Sequence, residues 1–182
     1  MNTIKIDTYG IASGARFIAS PNQDERPAGN HSAPSGITLA VIHNISLPPQ
    51  QYGGDGVIAL FTNQLDPEAH PYYAEIYQLK VSSHFFIRRD GSLIQFVPCS
   101  QRAWHAGVSA WKGRERCNDF SVGIELEGSD TDAFETAQYI TLNNLLSALK
   151  QAYPISDVVG HSDVAPGRKT DPGPYFDWTQ IK

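Results

Sequence analysis

Short apolar runs of strand length alternate along the chain with segments of helical periodicity, and this alternation restricts the possible folds more than any other feature. Such an order is typical of α/β domains, in which helices pack on a central sheet. Strands are predicted at residues 37–42, 121–127 and 157–160, and helices at residues 55–65 and from 132 to just before Pro154. The sequence therefore predicts an α/β fold.

A hairpin signal indicates that the sheet is not purely parallel. At residues 84–97, two segments rich in β-forming residues flank the pair Asp90-Gly91. An Asp-Gly pair supplies the positive φ angles of a type I′ turn, and a hairpin places its two strands antiparallel. The 182 residues are enough for one domain with one core. We therefore predict a single domain spanning residues 1–182, with a central mixed β-sheet flanked by α-helices.

The charge and composition of the chain argue against several classes of partner. With 19 acidic and 14 basic residues the formal net charge is -5, so we expect no binding to nucleic acid. No stretch approaches the roughly 18 apolar residues that a membrane-spanning helix needs. Residues 1–7 lack the apolar core of a secretory signal, and the two cysteines are too few for a disulfide scaffold. We expect a monomeric cytoplasmic protein with reduced thiols and no membrane partner.

Two of the six histidines stand at the end of a predicted buried strand, where functional side chains are often found. His43 follows strand 37–42, and His161 follows strand 157–160. The loop beyond His161 is rich in proline and glycine, which excludes a helix there, and it carries Asp171. A lone histidine is more often structural, but two histidines and a carboxylate with one open position make up a catalytic zinc site. The pattern therefore predicts a zinc site without specifying a substrate.

The predicted strand 121–127 carries two carboxylates on one face. Its apolar residues alternate with Gly123, Glu125 and Glu127, which therefore share the opposite face. A carboxylate beside a metal site can act as a general base. From the alternation alone, either glutamate could have that role.

Five longer runs identify a family. They read VIHNISLPP at 41–49, RAWHAGVS at 102–109, GRERCNDFS at 113–121, GIELEG at 123–128 and RKTDPGP at 168–174. These runs resemble the N-acetylmuramoyl-L-alanine amidases, most closely the cytoplasmic branch that acts on 1,6-anhydromuropeptides. The resemblance implies the mixed sheet of zinc amidases and peptidoglycan-recognition proteins. It also implies hydrolysis, during cell-wall recycling, of the amide bond between the lactyl group of N-acetylmuramic acid and L-alanine.

The resemblance also implies roles for individual residues of this chain. The zinc ligands would be His43, His161 and Asp171. The catalytic residues would be Glu125, which transfers protons, and Lys169, which stabilises the negative oxygen of the tetrahedral intermediate. The groove for the anhydromuropeptide substrate would include Asn44, Trp104, Arg116 and Arg168. Both arginines suit the carboxylates of a peptide stem, and a tryptophan can stack on an apolar face of the substrate.

Other interpretations of the same residues stay open. Relatives of this fold include non-catalytic peptidoglycan-recognition modules, and an autolysin would apply the same chemistry to intact cell wall. Lys169 could be an ordinary surface lysine, and His105 could either line the groove or orient a neighbour. We expect His84 to be a core histidine with satisfied hydrogen bonds and His70 to lie at the start of a helix.

Overall fold

The computed structural model describes residues 3–27 and 36–182. Its strands are β1 (Arg16–Phe17), β2 (Gln23–Glu25), β3 (Leu39–Ile45), β4 (Phe85–Ile87), β5 (Leu93–Gln95), β6 (Gln101–Ala103), β7 (Ala110–Trp111), β8 (Arg114–Glu115), β9 (Ser121–Glu127) and β10 (Asp157–Gly160). Its α-helices are α1 (Gly56–Phe61), α2 (Pro71–Ile76), α3 (Thr136–Ala152) and α4 (His161–Val164), and 3-10 turns lie at Cys117–Asp119 and Trp178–Gln180. None of the described helices has both the length and the apolar character that a membrane crossing needs.

Within residues 3–27 and 36–182, six strands form the central sheet in the order β1-β5-β4-β9-β3-β10. All neighbouring pairs are parallel except β4 and β5, which form the antiparallel hairpin. The prediction of a mixed sheet in an α/β fold is therefore confirmed. Two small antiparallel pairs, β2 with β6 and β7 with β8, lie outside this sheet.

The two faces of the sheet have different roles. On one face α3 packs against the apolar side chains that alternate along β3 and β9, including Ile42, Ile124 and Leu126. On the other face, α1 and α2 cover the apolar side chains of β4 and β5. Strand β9 presents Glu125 and Glu127 to this second face, which confirms the alternation predicted for residues 121–127.

The register between β3, β9 and β10 brings the polar side chains together. His43 pairs with Glu125 across β3 and β9, so the two side chains leave the same face of the sheet as neighbours. Gly160 pairs with Ile42 across β10 and β3, and His161 follows directly at the start of α4. Three strands that are distant in sequence thus deliver their functional residues to one edge of the sheet.

The hairpin turn differs from the sequence-based expectation. Gly91 has a φ of 82°, whereas Asp90 keeps a negative φ, so the predicted type I′ turn is wrong. The amide of Gly91 donates to Arg88 at 2.9 Å, and the amide of Arg88 donates to Ser92 at 3.0 Å. This is the three-residue hairpin loop in which a tight turn is followed by a left-handed glycine. The side chain of Asp90 favours it, because Oδ1 accepts the amide of Ser92 at 2.8 Å.

Helix ends also differ from their predicted positions. Helix α3 begins after Glu135, whose amide donates to the side chain of Gln138 at 3.0 Å, so Asp132 does not cap it. Asp132 instead accepts a short hydrogen bond from the hydroxyl of Tyr52. Helix α1 ends at Phe61, because the chain turns through a left-handed residue at Asn63. One turn of helix, α4, also lies between β10 and the Pro-rich loop.

Candidate metal centre and active-site cleft

Three side chains meet at the edge of the sheet. His43 comes from β3, His161 from the first turn of α4, and Asp171 from the loop that follows. The two Nδ1 atoms are 2.9 Å apart, and each lies 3.0 Å from Oδ2 of Asp171. Within the described residues these three side chains form a group that could hold a metal ion.

A hydrogen bond between the His161 ring and the backbone determines which ring nitrogen keeps its lone pair toward the site. Its Nε2 atom lies 3.1 Å from the backbone carbonyl oxygen of Ala106. Because a carbonyl oxygen only accepts, Nε2 carries the ring proton and Nδ1 of the neutral ring keeps its lone pair. That lone pair is directed at His43 and Asp171, as a metal ligand requires.

A second chain of hydrogen bonds supports His43. Its Nε2 atom lies 2.9 Å from Nδ1 of His105, and Nε2 of His105 lies 3.1 Å from the hydroxyl oxygen of Ser121. With each Nε2–H donating outward along this chain, Nδ1 of His43 also keeps its lone pair. Two imidazole nitrogens and one carboxylate oxygen then converge, which is a donor set that zinc takes. His105 therefore orients the ring of His43 and also lines the cleft, so both roles left open for it agree with the structure.

The electrostatics of His43 and Asp171 suit the charge states that a metal needs. Burial lowers the pKa of His43 to about 4, so the ring is neutral near pH 7. Burial opposes ionisation of Asp171, but the close interactions of its Oδ2 atom with the rings of His161 and His43 outweigh burial and hold the pKa of that carboxyl well below its usual value. Neutral imidazoles and an ionised carboxylate are the forms that bind metal.

Glu125 is buried beside this centre without being part of it. Its side chain lines the cleft, with Oε1 4.0 Å from Nδ1 of His43. Its other oxygen, Oε2, has no hydrogen-bond partner among the described residues. Burial and the charge of Asp171 raise the pKa of Glu125 well above its usual value, while Lys169 opposes the shift. A carboxyl group with a free oxygen and a raised pKa is suited to proton transfer.

Glu127 has a different role, although it shares a strand face with Glu125. It is 3% exposed, and its two oxygens accept the backbone amides of Gly53 at 2.6 Å and Arg89 at 3.1 Å. These bonds attach two loops to the end of β9. The geometry therefore favours Glu125 over Glu127 as the group available for chemistry.

A cleft of about 640 Å³ lies over the metal centre. Eight of the nine predicted site residues line it, and only Arg116 does not. One wall is apolar and is built by α1, α2 and the chain around them, with Leu60, Tyr72, Ile76, Leu79 and Val81. The opposite wall is polar and comes from the loop after β9 and the loop that carries Asp171. The cleft can therefore hold an elongated ligand that has both apolar and polar parts.

Asn44 and Trp104 are held in fixed orientations at the cleft. The amide nitrogen of Asn44 donates to Asp130 at 2.7 Å and to the carbonyl oxygen of Pro172 at 3.1 Å. The indole nitrogen of Trp104 donates to Asp24 at 3.2 Å. Asp24 and Asp130, which sequence reasoning missed, carry no sequence signal beyond their acidity.

The two arginines lie around the rim. Arg168 donates to the carbonyl oxygens of Ala106 and Val108, both at 2.6 Å, and so attaches its loop to residues 106–108. The Arg116 side chain is 72% exposed and lies 3.4 Å from Asp119. Both arginines line a neighbouring pocket of about 540 Å³. The structure thus brings the two predicted carboxylate-binding side chains to one pocket; Arg168 also lines the cleft over the metal centre, whereas Arg116 lies beside that cleft.

The remaining expectations for histidines are met. His84 is fully buried, accepts the amide of Gly123 at Nδ1, and lies 3.1 Å from the carbonyl oxygen of Gln101 at Nε2. His70 caps α2 by accepting the amide of Tyr72 at 3.1 Å.

Gly123 provides the space in which His105 supports the centre. A Cβ atom on Gly123 would lie 2.5 Å from Cγ of the His105 ring, closer than such atoms approach. A glycine inside a strand often marks a close approach of another group. The position of Gly123 inside the predicted strand 121–127 is therefore the sequence signal that points to this contact.

Comparison with known proteins gives a consistent result. Residues 33–174 match the sequence model of the family described as N-acetylmuramoyl-L-alanine amidase. The 1,6-anhydro-N-acetylmuramyl-L-alanine amidase AmpD of Escherichia coli (strain K12) is 55% identical over 175 residues, which cover 95% of this chain and 93% of that protein. A crystal structure of a Se-Met AmpD derivative superposes with a TM-score of 0.90, at 52% identity and with 95% of both chains covered. The E. coli amidase AmiD, in complex with the substrate anhydro-N-acetylmuramic acid-L-Ala-D-gamma-Glu-L-Lys, gives a TM-score of 0.60 at 30% identity over 98% of this chain and 64% of that one.

Replacing Gly123 by alanine is expected to weaken zinc binding. The added methyl group displaces the His105 ring, and His43 then loses the partner that fixes its orientation. Loss of such an outer partner typically raises a zinc dissociation constant about 10- to 100-fold. Competition with a chromophoric chelator measures the constant. Gly54→Ala is the matched control, because its nearest contact would be a carbonyl oxygen at 4.0 Å. Equal zinc affinity in the two variants would contradict the role given to Gly123.

Proposed function

Because this chain belongs to the N-acetylmuramoyl-L-alanine amidase family, it is an enzyme that cleaves muropeptides in cell-wall recycling, and we propose that its catalytic centre uses zinc. The zinc ligands in this proposal are His43, His161 and Asp171. The bond that is cut joins the lactyl group of 1,6-anhydro-N-acetylmuramic acid to L-alanine. One observation carries the proposal: three metal-binding atoms within 3.0 Å of one another lie beside a buried carboxyl group with a free oxygen.

The donor set fits zinc, and zinc supplies a Lewis acid that polarises the scissile carbonyl and lowers the pKa of the attacking water. Glu125 accepts the proton that this water loses as its oxygen forms a bond to the carbonyl carbon. Glu125 then returns the proton to the nitrogen of L-alanine when the carbon–nitrogen bond breaks. Its burial beside His43 suits both steps, because a raised pKa brings the carboxyl closer to the working pH.

In the proposal, Lys169 supports the negative charge that forms on the carbonyl oxygen. It is exposed at the cleft, two residues before the ligand Asp171. Its ammonium group can donate a hydrogen bond to that oxygen when substrate covers the cleft. Its charge already acts on the centre, because it lowers the pKa of both Glu125 and His43.

The cleft and its rim support a muropeptide as the substrate. The apolar wall and the fixed indole of Trp104 suit the faces of a sugar ring, and Asn44 lies on the polar side. Arg168 and Arg116 lie at the rim, where a peptide stem with carboxylate groups would leave the cleft. In the proposal both arginines bind the stem, and Arg168 also holds its own loop.

The proposal includes a monomeric enzyme in the cytoplasm. All the ligands, Glu125 and Lys169 come from one chain, so a second copy is not required to complete the centre. Both cysteines, Cys99 and Cys117, are free and buried, which agrees with a reducing compartment.

Glu125→Gln separates the proposed chemistry from zinc binding. The amide keeps the size of the side chain but cannot take up the proton, so we expect kcat to fall about 10²- to 10⁴-fold with zinc still bound. Peptide release from an anhydromuropeptide, followed by chromatography, measures kcat, and elemental analysis measures zinc. Glu68→Gln, on an exposed glutamate, is the matched control.

The same assay decides between an enzyme and a recognition module. His161→Ala is expected to lose both zinc and activity. A wild-type protein that binds the muropeptide without cutting it would instead support a non-catalytic peptidoglycan-recognition module. Full activity in Glu125→Gln would contradict the role of that residue.

Relative rates on two substrates test the recycling role. We expect rapid release of peptide from soluble anhydromuropeptides and slow release from intact sacculi at equal concentrations of muramyl-peptide bonds. The physical reason is that a cleft of about 640 Å³ encloses one muropeptide more readily than a cross-linked polymer. Equal rates would favour an autolysin that acts on the cell wall.

A further inference from the structure

The two histidines of the centre are supported by the same short segment. Residues 105–106 supply a ring nitrogen to Nε2 of His43 and a backbone carbonyl oxygen to Nε2 of His161. The orientation of both ligands therefore depends on where this one segment lies. It has no regular secondary structure of its own, so its position must come from contacts with other parts of the chain.

One side chain holds this segment from the opposite side. The oxygen Oδ1 of Asn118 accepts the backbone amide of His105 at 3.2 Å and that of Ala106 at 2.8 Å. A single acceptor thus fixes two consecutive residues, one of which supports His43 and the other His161. We propose that Asn118 is a positioning residue for the zinc centre, acting on both histidine ligands through residues 105–106.

The position of Asn118 is itself fixed. It lies in the 3-10 turn at Cys117–Asp119, which follows Arg116 in a left-handed conformation with a φ of 62°. The guanidinium of Arg26 donates to the carbonyl oxygens of Asn118 and Asp119 at 3.2 Å and to that of Ser121 at 2.8 Å. The turn is thereby tied to the start of β9. The hydroxyl of Ser121, on that strand, completes the chain from His105.

Other contacts keep the segment folded when Asn118 is replaced. Arg168 donates to the carbonyl oxygen of Ala106, and the hydroxyl of Ser109 accepts the amide of Cys117 at 3.1 Å. Removing the Asn118 oxygen therefore leaves the loop in place but releases the amides of His105 and Ala106. The expected result is a looser orientation of both ligands rather than loss of the fold.

The measurement is the zinc dissociation constant of three variants. In Asn118→Ala it is expected to rise about 10- to 100-fold, as for other residues that orient metal ligands. Asn118→Asp keeps an oxygen at the same place and is expected to recover most of the affinity. Asn143→Ala is the matched control: this partly buried asparagine also makes backbone hydrogen bonds, but to Tyr139 and Gln180 on the far side of α3.

A second readout does not need zinc. In zinc-free protein, the ¹⁵N chemical shifts of the imidazole rings report which nitrogen carries the proton. We expect the ring shifts of His43 and His161 to agree between the wild type and Asn143→Ala, and to change in Asn118→Ala, where residues 105–106 no longer hold the partners of both rings in place. Ring shifts and zinc affinity unchanged from the wild type would overturn the proposal, even if Asn118→Ala lowered the melting temperature.

The inference rests on the proposed zinc function, yet it can fail separately from it. If the wild type binds zinc without cutting muropeptides, the proposed function fails while the comparison of zinc affinities still tests Asn118. If the amidase activity is confirmed and Asn118→Ala binds zinc as tightly as the wild type, the positioning role alone is wrong.

Discussion

The parallel register between β3 and β9 is the constraint on which the rest of the centre depends. Seven consecutive residue pairs set His43 beside Glu125, and β10 continues the sheet so that His161 follows at the same edge. A shift of one residue would turn either strand over and send its polar side chain into the apolar layer under α3. The apolar residues that alternate along β3 and β9 therefore also fix the distance between the metal centre and the proposed base.

Burial gives neighbouring groups different charge states. His43 stays neutral because it is desolvated, and Asp171 stays ionised because its interactions with both histidine rings outweigh its desolvation. In the part of the chain that the structure describes, Oε2 of Glu125 has no hydrogen-bond partner, and burial raises the pKa of this carboxyl. The proposed mechanism uses this difference: Asp171 holds the metal ion and Glu125 exchanges the proton.

The sequence was sufficient for the parts that depend on local pattern. The bounds of β9, the shared face of Glu125 and Glu127, and the placement of His161 directly after β10 follow from alternation and burial. The predicted end of the strand before His43 was wrong, because β3 continues to Ile45 through its pairing with β9 and His43 lies inside it. The resemblance to the amidases selected Glu125 over Glu127 and added Lys169, and the structure brings both to one cleft with Asp171. What distinguishes Glu125 from Glu127 is non-local: the amides that occupy Glu127 come from Gly53 and Arg89. The place of Arg116 and the turn at Asp90 likewise depend on side-chain hydrogen bonds that periodicity does not encode.

Diffraction at the zinc absorption edge, from crystals of the zinc-loaded protein, tests the central claim most directly. The account predicts one strong anomalous peak in contact with Nδ1 of His43, Nδ1 of His161 and a carboxylate oxygen of Asp171, with Glu125 near the metal but not bound to it. A peak at another place, or zinc bound through Nε2 of either histidine, would contradict the account.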